Sequence, residues 1–236
     1  MNLILLAPDQ ALSDSHYQLN TRQQEHIAKV LKKAHDDTLR VGLLNGLIGD
    51  AVLDLERWQV TLGQLTTQPP KALPMELILA LPRPNMLKRT LMNITAMGVK
   101  TVHLLHSAKV EKSYWQSPVL TDASIHDYLI EGLEQARDTV LPVVHQYTRF
   151  RPFVEDTLPD LLQGRVGLVA HPYQAETCPV DLQEPCVLAI GPEGGWNEFE
   201  MEKWSDAGMQ SVHLGERILK VETAVPVLLS RLYPAK

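Results

Sequence analysis

Short apolar segments alternate with helical segments from residue 76 to the end of the chain, and this alternation limits the possible folds more than any other feature. Short apolar runs bounded by turn residues are typical of buried strands, whereas apolar residues at helical spacing indicate a helix. The expected strands are residues 76–80, 101–105, 166–170, 187–190 and 211–214, and the expected helices are residues 86–97, 122–137, 197–207 and 222–232. This order predicts an α/β fold with a largely parallel sheet.

The amino-terminal part has a different pattern, with short strands and one helical segment. Residues 39–44 and 51–55 flank an Asn45-Gly46 pair, which predicts a β-hairpin. Three apolar residues at i, i+3 and i+4 predict a helix over residues 23–34.

A polar, proline-containing segment at residues 66–72 is the expected domain linker. The sequence therefore predicts two domains, residues 1–68 and residues 73–236. Residues 1–9 are apolar but lack a basic region, so they indicate a first strand rather than a signal peptide. The chain contains no apolar run of twenty residues, and we expect no membrane span.

The two cysteines, Cys178 and Cys186, are not in C-x-x-C spacing. We therefore expect neither a disulfide framework nor a zinc site, and a reducing cytoplasm is the expected location. His103 and His106 stand three positions apart, but such a pair without further ligands is usually incidental, and no metal is expected.

Positive charge is concentrated in one segment of an acidic chain. The net charge is −6, but residues 83–112 contain six lysines and arginines and one acid, which gives this segment +5 and leaves −11 for the rest. A basic segment is compatible with docking on nucleic-acid phosphates. A solvated helix face with scattered lysines would have the same composition.

Two glycine-containing loops each follow an expected strand and precede an expected helix. Residues 190–197 read Ile-Gly-Pro-Glu-Gly-Gly-Trp-Asn, and residues 214–224 read Leu-Gly-Glu-Arg-Ile-Leu-Lys-Val-Glu-Thr-Ala. Glycines allow tight turns and close approach of a ligand to the backbone. Ligands of parallel α/β sheets bind at the carboxyl ends of the strands, where such loops lie. Neither loop has a nucleotide-phosphate motif.

The pair of loops resembles the signature of the RsmE family of SPOUT methyltransferases, which modify N3 of a uridine in small-subunit (16S) ribosomal RNA. Residues 26–32 and the hairpin of residues 39–46 are similar to the PUA-like RNA-binding barrel of that family. The resemblance implies a small PUA-like β-barrel domain followed by a trefoil-knotted parallel sheet with helices on both faces. It also implies a homodimer, and ribosomal RNA or the small ribosomal subunit as the partner.

In the RsmE family S-adenosyl-L-methionine is held by backbone groups of three loops, which implies a cofactor site for this chain as well. The corresponding residues here are His171, Ile190, Gly191, Pro192, Gly194, Gly195, Leu214, Gly215, Arg217, Ile218, Leu219, Thr223 and Ala224. The expected RNA-binding residues are Arg22, Lys29, Lys32, Lys33, Arg83, Lys88 and Arg89.

Candidate catalytic residues follow from the chemistry of the uracil N3–H, which is weakly acidic. Arg217 could stabilise the charge that deprotonation leaves on the ring. Glu193 or Glu222 could accept the proton, directly or through water. The alternatives are that Arg217 only pairs with a phosphate and that Glu222 only caps a helix.

The chain departs from the family pattern at four positions. Asn93 and Ala96 are neutral where relatives carry lysine and glutamate, and Asp138 stands where an arginine is usual, with Arg137 one position early. Lys220 replaces a second arginine, and this exchange loses the bidentate fork of a guanidinium. These changes leave the target nucleotide open. Methylation of another RNA, or RNA binding without catalysis, remains an alternative function.

Overall fold

The computed structural model describes residues 3–235. The contacts within the chain group it into two compact units. The first unit comprises the chain up to Lys71 together with Ile130–Leu141. The second comprises Ala72–Leu129 and Pro142–Lys236, of which Lys236 is outside the described residues.

The first unit contains a five-stranded sheet and one short helix, α1 (Thr21–His26). Its strands are β1 (Ile4–Leu6), β2 (His16–Gln18), β3 (Thr38–Leu43), β4 (Ile48–Asp54) and β5 (Gln59–Thr67). The sheet order is β1-β3-β4-β5-β2, and only the β1–β3 pairing of these described strands is parallel. The expected hairpin is confirmed as β3–β4. Strand β5 continues through Thr67, so the first two residues of the expected linker belong to a strand.

The expected helix over residues 23–34 is wrong at both ends. Helix α1 begins at Thr21 because the Asn20 side chain caps it by accepting a hydrogen bond from the Gln23 amide. A single π-type turn, Ile27–Leu31, continues α1. Lys32 then adopts a left-handed conformation (φ 50°), which ends the helical path before Ala34.

The second unit contains a seven-stranded sheet. Its strands are β6 (Met75–Ala80), β7 (Thr101–Leu105), β8 (Val143–Tyr147), β9 (Val166–Ala170), β10 (Glu176–Thr177), β11 (Cys186–Ile190) and β12 (Gln210–His213). The order is β10-β12-β9-β11-β6-β7-β8, and every pairing between these described strands is parallel. The expected α/β fold with a parallel sheet is confirmed.

The helices of the chain after α1 are α2 (Pro84–Ala96), α3 (Asp122–Ala136), α4 (Phe150–Pro152), α5 (Leu158–Leu161), α6 (Glu198–Asp206) and α7 (Val221–Leu232). Residues of α3 from Ile130 onward belong to the first unit. The expected capping box opens α6, because Asn197 and Glu200 each accept a hydrogen bond from the other's amide. Along residues 3–235, no helix combines the length and apolar character needed to cross a membrane.

The strand order places three loops side by side. Strand β9 lies between β12 and β11, and all three run in the same direction. Their carboxyl ends therefore meet at one edge of the sheet, where a parallel α/β fold binds its ligand.

Candidate functional site

A cavity of about 350 Å³ lies at the carboxyl ends of β9, β11 and β12. The loop after each strand supplies part of its wall, and α7 closes it with Val221, Ala224 and Leu228. The cavity therefore forms where residues from the two glycine-containing loops and residues 170–173 come together.

The loop after β11 approaches the cavity with its backbone. Gly191 packs so closely on Trp196 that a Cβ atom at this position would lie 3.2 Å from the indole ring. The Gly195 amide donates to the Pro192 carbonyl at 2.8 Å and closes the turn. A side chain at Gly191 would therefore push against a residue that is 4% exposed and cannot easily move.

The loop after β12 is held by a glycine in a conformation that other residues rarely adopt. Gly215 has φ 107°, and its amide donates to Nδ1 of His213 at 2.9 Å. Arg217 and Ile218 follow on the exposed side of the loop, and Ile218 is 69% exposed although it lines the cavity. An apolar side chain in this position leaves a surface that a ligand or a partner could cover.

The loop after β9 contributes His171, whose amide donates to the Val212 carbonyl at 3.0 Å. Burial lowers the pKa of His171 below its ordinary value, and the nearby Lys109 ammonium lowers it further. Both influences favour the neutral imidazole over the charged form. Tyr173 stands against this ring edge-on and is 61% exposed.

Two buried nitrogen atoms of cavity residues have no hydrogen-bond partner within residues 3–235, namely Nδ1 of His171 and Nε1 of Trp196. A buried polar atom without a partner is costly, and a bound ligand is one way to supply the missing partner.

The structure brings most of the expected cofactor-binding residues to this one cavity. It is lined by His171, Ile190, Gly191, Pro192, Gly194, Gly195, Leu214, Gly215, Arg217, Ile218, Leu219 and Ala224. Among the described residues that were expected to bind the cofactor, Thr223 does not line the cavity. Glu193 and Arg217 of the candidate catalytic residues line it, whereas Glu222 does not.

Trp196 and Lys109 are among the cavity-lining residues that the sequence analysis did not assign to the site. Trp196 continues the loop after β11, and its position beside the glycines was a usable signal. Lys109 follows β7, which is two strands away from β11 in the sheet, so nothing in its sequence surroundings pointed to this cavity. Trp196 and Trp204 are 4% and 0% exposed and pack on each other, so they do not stack on RNA bases.

In the second unit, the cations that were expected to bind RNA differ in their contacts and exposure. The Arg83 Nε lies 3.9 Å from Oε1 of Glu193, and Lys88 lies over the Tyr128 ring at 5.3 Å. Arg89 is exposed on α2. Two cations of the basic segment, Arg83 and Lys88, therefore already contact side chains of their own unit.

In the first unit, Arg22 pairs with the buried carboxylate of Glu134 at 2.6 Å. Lys29 pairs with Glu25 at 3.1 Å, and both side chains are exposed. Lys32 is exposed after α1, and Lys33 lines a second cavity of about 290 Å³.

Comparison with known proteins identifies the class of protein to which the chain belongs. Residues 69–233 match the RNA methyltransferase domain family, which is most of the chain and includes the entire cavity. A ribosomal RNA small subunit methyltransferase E from Treponema pallidum (strain Nichols) is 32% identical over 206 residues, which are 84% of this chain and 77% of that relative. The chain therefore belongs to the ribosomal RNA small subunit methyltransferase E family of RNA methyltransferases.

Solved structures agree with this fold. A ribosomal RNA small subunit methyltransferase E from Neisseria gonorrhoeae bound to S-adenosyl methionine superimposes with a TM-score of 0.74, at 22% identity and with 97% of this chain and 95% of that chain covered. A methyltransferase from Legionella pneumophila in complex with the cofactor SAM gives 0.75, at 20% identity and with the same coverage.

Proposed function

We propose that this protein transfers a methyl group from S-adenosyl-L-methionine to N3 of a uridine in small-subunit ribosomal RNA. The observation that carries the proposal is the cavity formed by the loops after β9, β11 and β12, with its two unpartnered buried nitrogens. Family membership supports the same class of reaction.

The cavity suits S-adenosyl-L-methionine in size and in chemistry. Its volume of about 350 Å³ is within the usual range for small-molecule pockets. The missing side chain at Gly191 lets Trp196 pack against the loop, and Ile190 and Leu219 offer apolar surface to a ligand. Nδ1 of His171 and Nε1 of Trp196 supply polar atoms that a polar ligand would satisfy.

The reaction needs orientation and proton removal more than a protein nucleophile. S-adenosyl-L-methionine supplies a methyl group that its sulfonium already activates. We assign Arg217 to the charge that develops on the uracil oxygens, because this residue lines the cavity and is exposed. Glu193 lines the same cavity and is the better placed proton acceptor, whereas Glu222 lies outside the lining.

We further propose that the carboxy-terminal segment is threaded as a trefoil knot. The strand order supports this, since β11 lies between β9 and β6 while β12 pairs with the other edge of β9. Knots are rare in proteins, and the loops that would form this one are those that line the cavity.

The two units have separate roles in this proposal. The first unit, which adds Ile130–Leu141 to the expected residues 1–68, is a PUA-like RNA-binding domain, and the second unit, within the expected residues 73–236, is the methyltransferase domain. The partner is ribosomal RNA or the small ribosomal subunit, whose phosphates exposed cations of the chain would contact. A homodimer would cover apolar side chains such as Ile218 and Val227, which are 69% and 37% exposed.

Calorimetric titration with S-adenosyl-L-methionine tests the cofactor site, and methyl transfer from labelled cofactor tests the reaction. Transcribed 16S ribosomal RNA and purified small subunits should be compared as substrates, with mass spectrometry to locate the methylated base. Labelling at a uridine N3 is the expected result. Labelling of another RNA or another atom would reassign the substrate, and cofactor binding without any transfer would leave an RNA-binding protein.

A further inference from the structure

Lys109 reaches the cofactor loop from a distant strand. It follows β7, and its Nζ donates a 2.6 Å hydrogen bond to the carbonyl oxygen of Gly194. A Cβ atom at Gly194 would lie 2.8 Å from Cδ of Lys109. The aliphatic part of the lysine therefore covers the bare backbone of Gly194, while its ammonium fixes the carbonyl.

The turn that contains Lys109 is hydrogen-bonded to helix α6, which follows the Gly191–Gly195 loop. The Ala108 amide donates to Oε1 of Glu200 at 2.7 Å, and Oε2 of the same carboxylate accepts from the Asn197 amide at 2.9 Å. Glu200 is 2% exposed. One buried carboxylate thus joins the turn of Lys109 to the start of α6, so the lysine approaches Gly194 from a defined position.

Lys109 is also part of the cavity wall. It lines the cavity on the side of the β11 loop, and its positive charge lowers the pKa of His171. The lysine therefore touches one cavity loop by a hydrogen bond and acts on another through its charge.

We propose that Lys109 is a positioning residue that prepares the Gly191–Gly195 loop for the cofactor. The loop has three glycines among its five residues, so it loses much conformational freedom when it is ordered. A contact that orders the loop before binding removes that cost from the binding step. This inference rests on the proposed cofactor site and adds a residue that does not belong to the three loops.

A different role for Lys109 would follow from its place in the basic segment of residues 83–112. If its ammonium contacted an RNA phosphate, its removal would weaken RNA binding and lower the salt dependence by about one unit. The hydrogen bond to Gly194 favours the loop instead, because the ammonium already has a carbonyl acceptor at 2.6 Å.

The test compares Lys109→Met, which keeps the aliphatic cover, with Lys109→Arg, which keeps a donor and the charge. Lys71→Met removes one charge from an exposed position away from the cavity and is the matched control. Affinity for S-adenosyl-L-methionine is measured by calorimetry, amide exchange at Gly194 and Gly195 by NMR, and the pKa of His171 by NMR titration. Melting temperatures establish that each variant is folded.

We expect Lys109→Met to weaken cofactor binding about fivefold, the size expected for the loss of one typical hydrogen bond. Exchange of the loop amides should become faster, the pKa of His171 should rise, and RNA affinity should not change. Lys109→Arg should restore most of each property, and Lys71→Met should match the parent.

If amide exchange at Gly194 and Gly195 is unchanged in Lys109→Met, the inference is overturned, whether or not the affinity for S-adenosyl-L-methionine changes. A loss of RNA affinity with unchanged cofactor affinity would also overturn it. A parent protein that binds no S-adenosyl-L-methionine would instead refute the proposed function, and the exchange measurement would still decide the role of Lys109. If Lys109→Met fails to fold, Lys109→Leu, which also removes the donor, replaces it, and unchanged loop exchange in that variant overturns the inference.

Discussion

The guanidinium of Arg22 holds the carboxylate of Glu134 at two points, with Nη1 2.6 Å from Oε2 and Nη2 3.0 Å from Oε1. The Glu134 side chain is fully buried, whereas that of Arg22 is 42% exposed. Glu134 also accepts a hydrogen bond from the Leu5 amide at 3.2 Å. Arg22 therefore has a structural role in the first unit, in addition to the RNA contact that the sequence predicts.

Arg22→Ala should destabilise the protein by about 3 kcal/mol, because it leaves a buried carboxylate without its counter-ion. Urea denaturation at pH 8 measures this change. Arg40→Ala is the control, since Arg40 and Asp50 form an exposed pair whose loss should cost less than about 1 kcal/mol. Equal effects of the two substitutions would contradict the prediction.

The cost of Arg22→Ala should be smaller at pH 5 than at pH 8. Burial raises the pKa of Glu134 above its ordinary value, against the opposing influence of Arg22. A raised folded pKa stabilises the protein at low pH, and this contribution is lost as the pH rises through that pKa. Without Arg22 the folded pKa rises further, so at pH 5 more of the variant buries a neutral carboxyl group. A cost that is independent of pH would show that Arg22 does not influence the ionisation of Glu134.

Gly194→Val should weaken binding of S-adenosyl-L-methionine by at least the fivefold expected for Lys109→Met, while the protein still unfolds cooperatively. The new side chain would begin 2.8 Å from Cδ of Lys109, so either the loop or the lysine must move. Calorimetry and thermal unfolding are the measurements. Parent-like affinity in the variant would remove the Gly191–Gly195 loop from the cofactor site.

Glu193→Gln and Glu222→Gln should separate the two candidate proton acceptors. Glu193 lines the cavity, so its amide variant should lose about a hundredfold in kcat if it is the general base. Glu222, in the first turn of α7, should change kcat little. Both variants should retain cofactor affinity. The reverse order of the two rates would assign proton transfer to Glu222.

Lys88→Ala combined with Arg89→Ala should weaken RNA binding and flatten its salt dependence, by about one unit of slope for each phosphate that the variant no longer neutralises. Arg89 is exposed, whereas Lys88 already lies over the Tyr128 ring, so we expect Arg89 to contribute most of the change. Affinity measured at several salt concentrations gives the slope. Parallel lines for parent and variant would show that these cations face water in the complex.

Much of the cavity could be predicted from the sequence because its parts are local. The loops after β11 and β12 are short, glycine-containing and placed between a strand and a helix, so their position at the sheet edge follows from the parallel order. The part played by Lys109 could not be predicted, because it depends on how the turn after β7 packs against α6.

Strand β8 was not predicted from the sequence, and the reason is physical. It has exposed or half-exposed side chains along its length, and its sequence Val-Val-His-Gln-Tyr shows no buried face. β8 is a strand because its backbone pairs with β7, and the pattern of side chains in the sequence does not reveal this pairing.

His103 in β7 and His106 just after it show the same limit of prediction from sequence. His103 bonds to Glu76 across the sheet, and His106 accepts from Trp115 in a later turn, so neither partner follows from the spacing of the two histidines.

The position of β11 has a consequence for how the chain is made. Strand β6 ends at Ala80, yet its neighbour on one side is β11, which begins only at Cys186. The centre of the sheet therefore stays open while residues 81–185 are synthesised, with an apolar strand edge exposed to other chains. Contacts between residues so far apart in sequence form slowly. We expect β6 to need protection from aggregation until β11 has been synthesised, and the nascent protein to bind the cofactor only after β12 and the loop that follows it have also been synthesised.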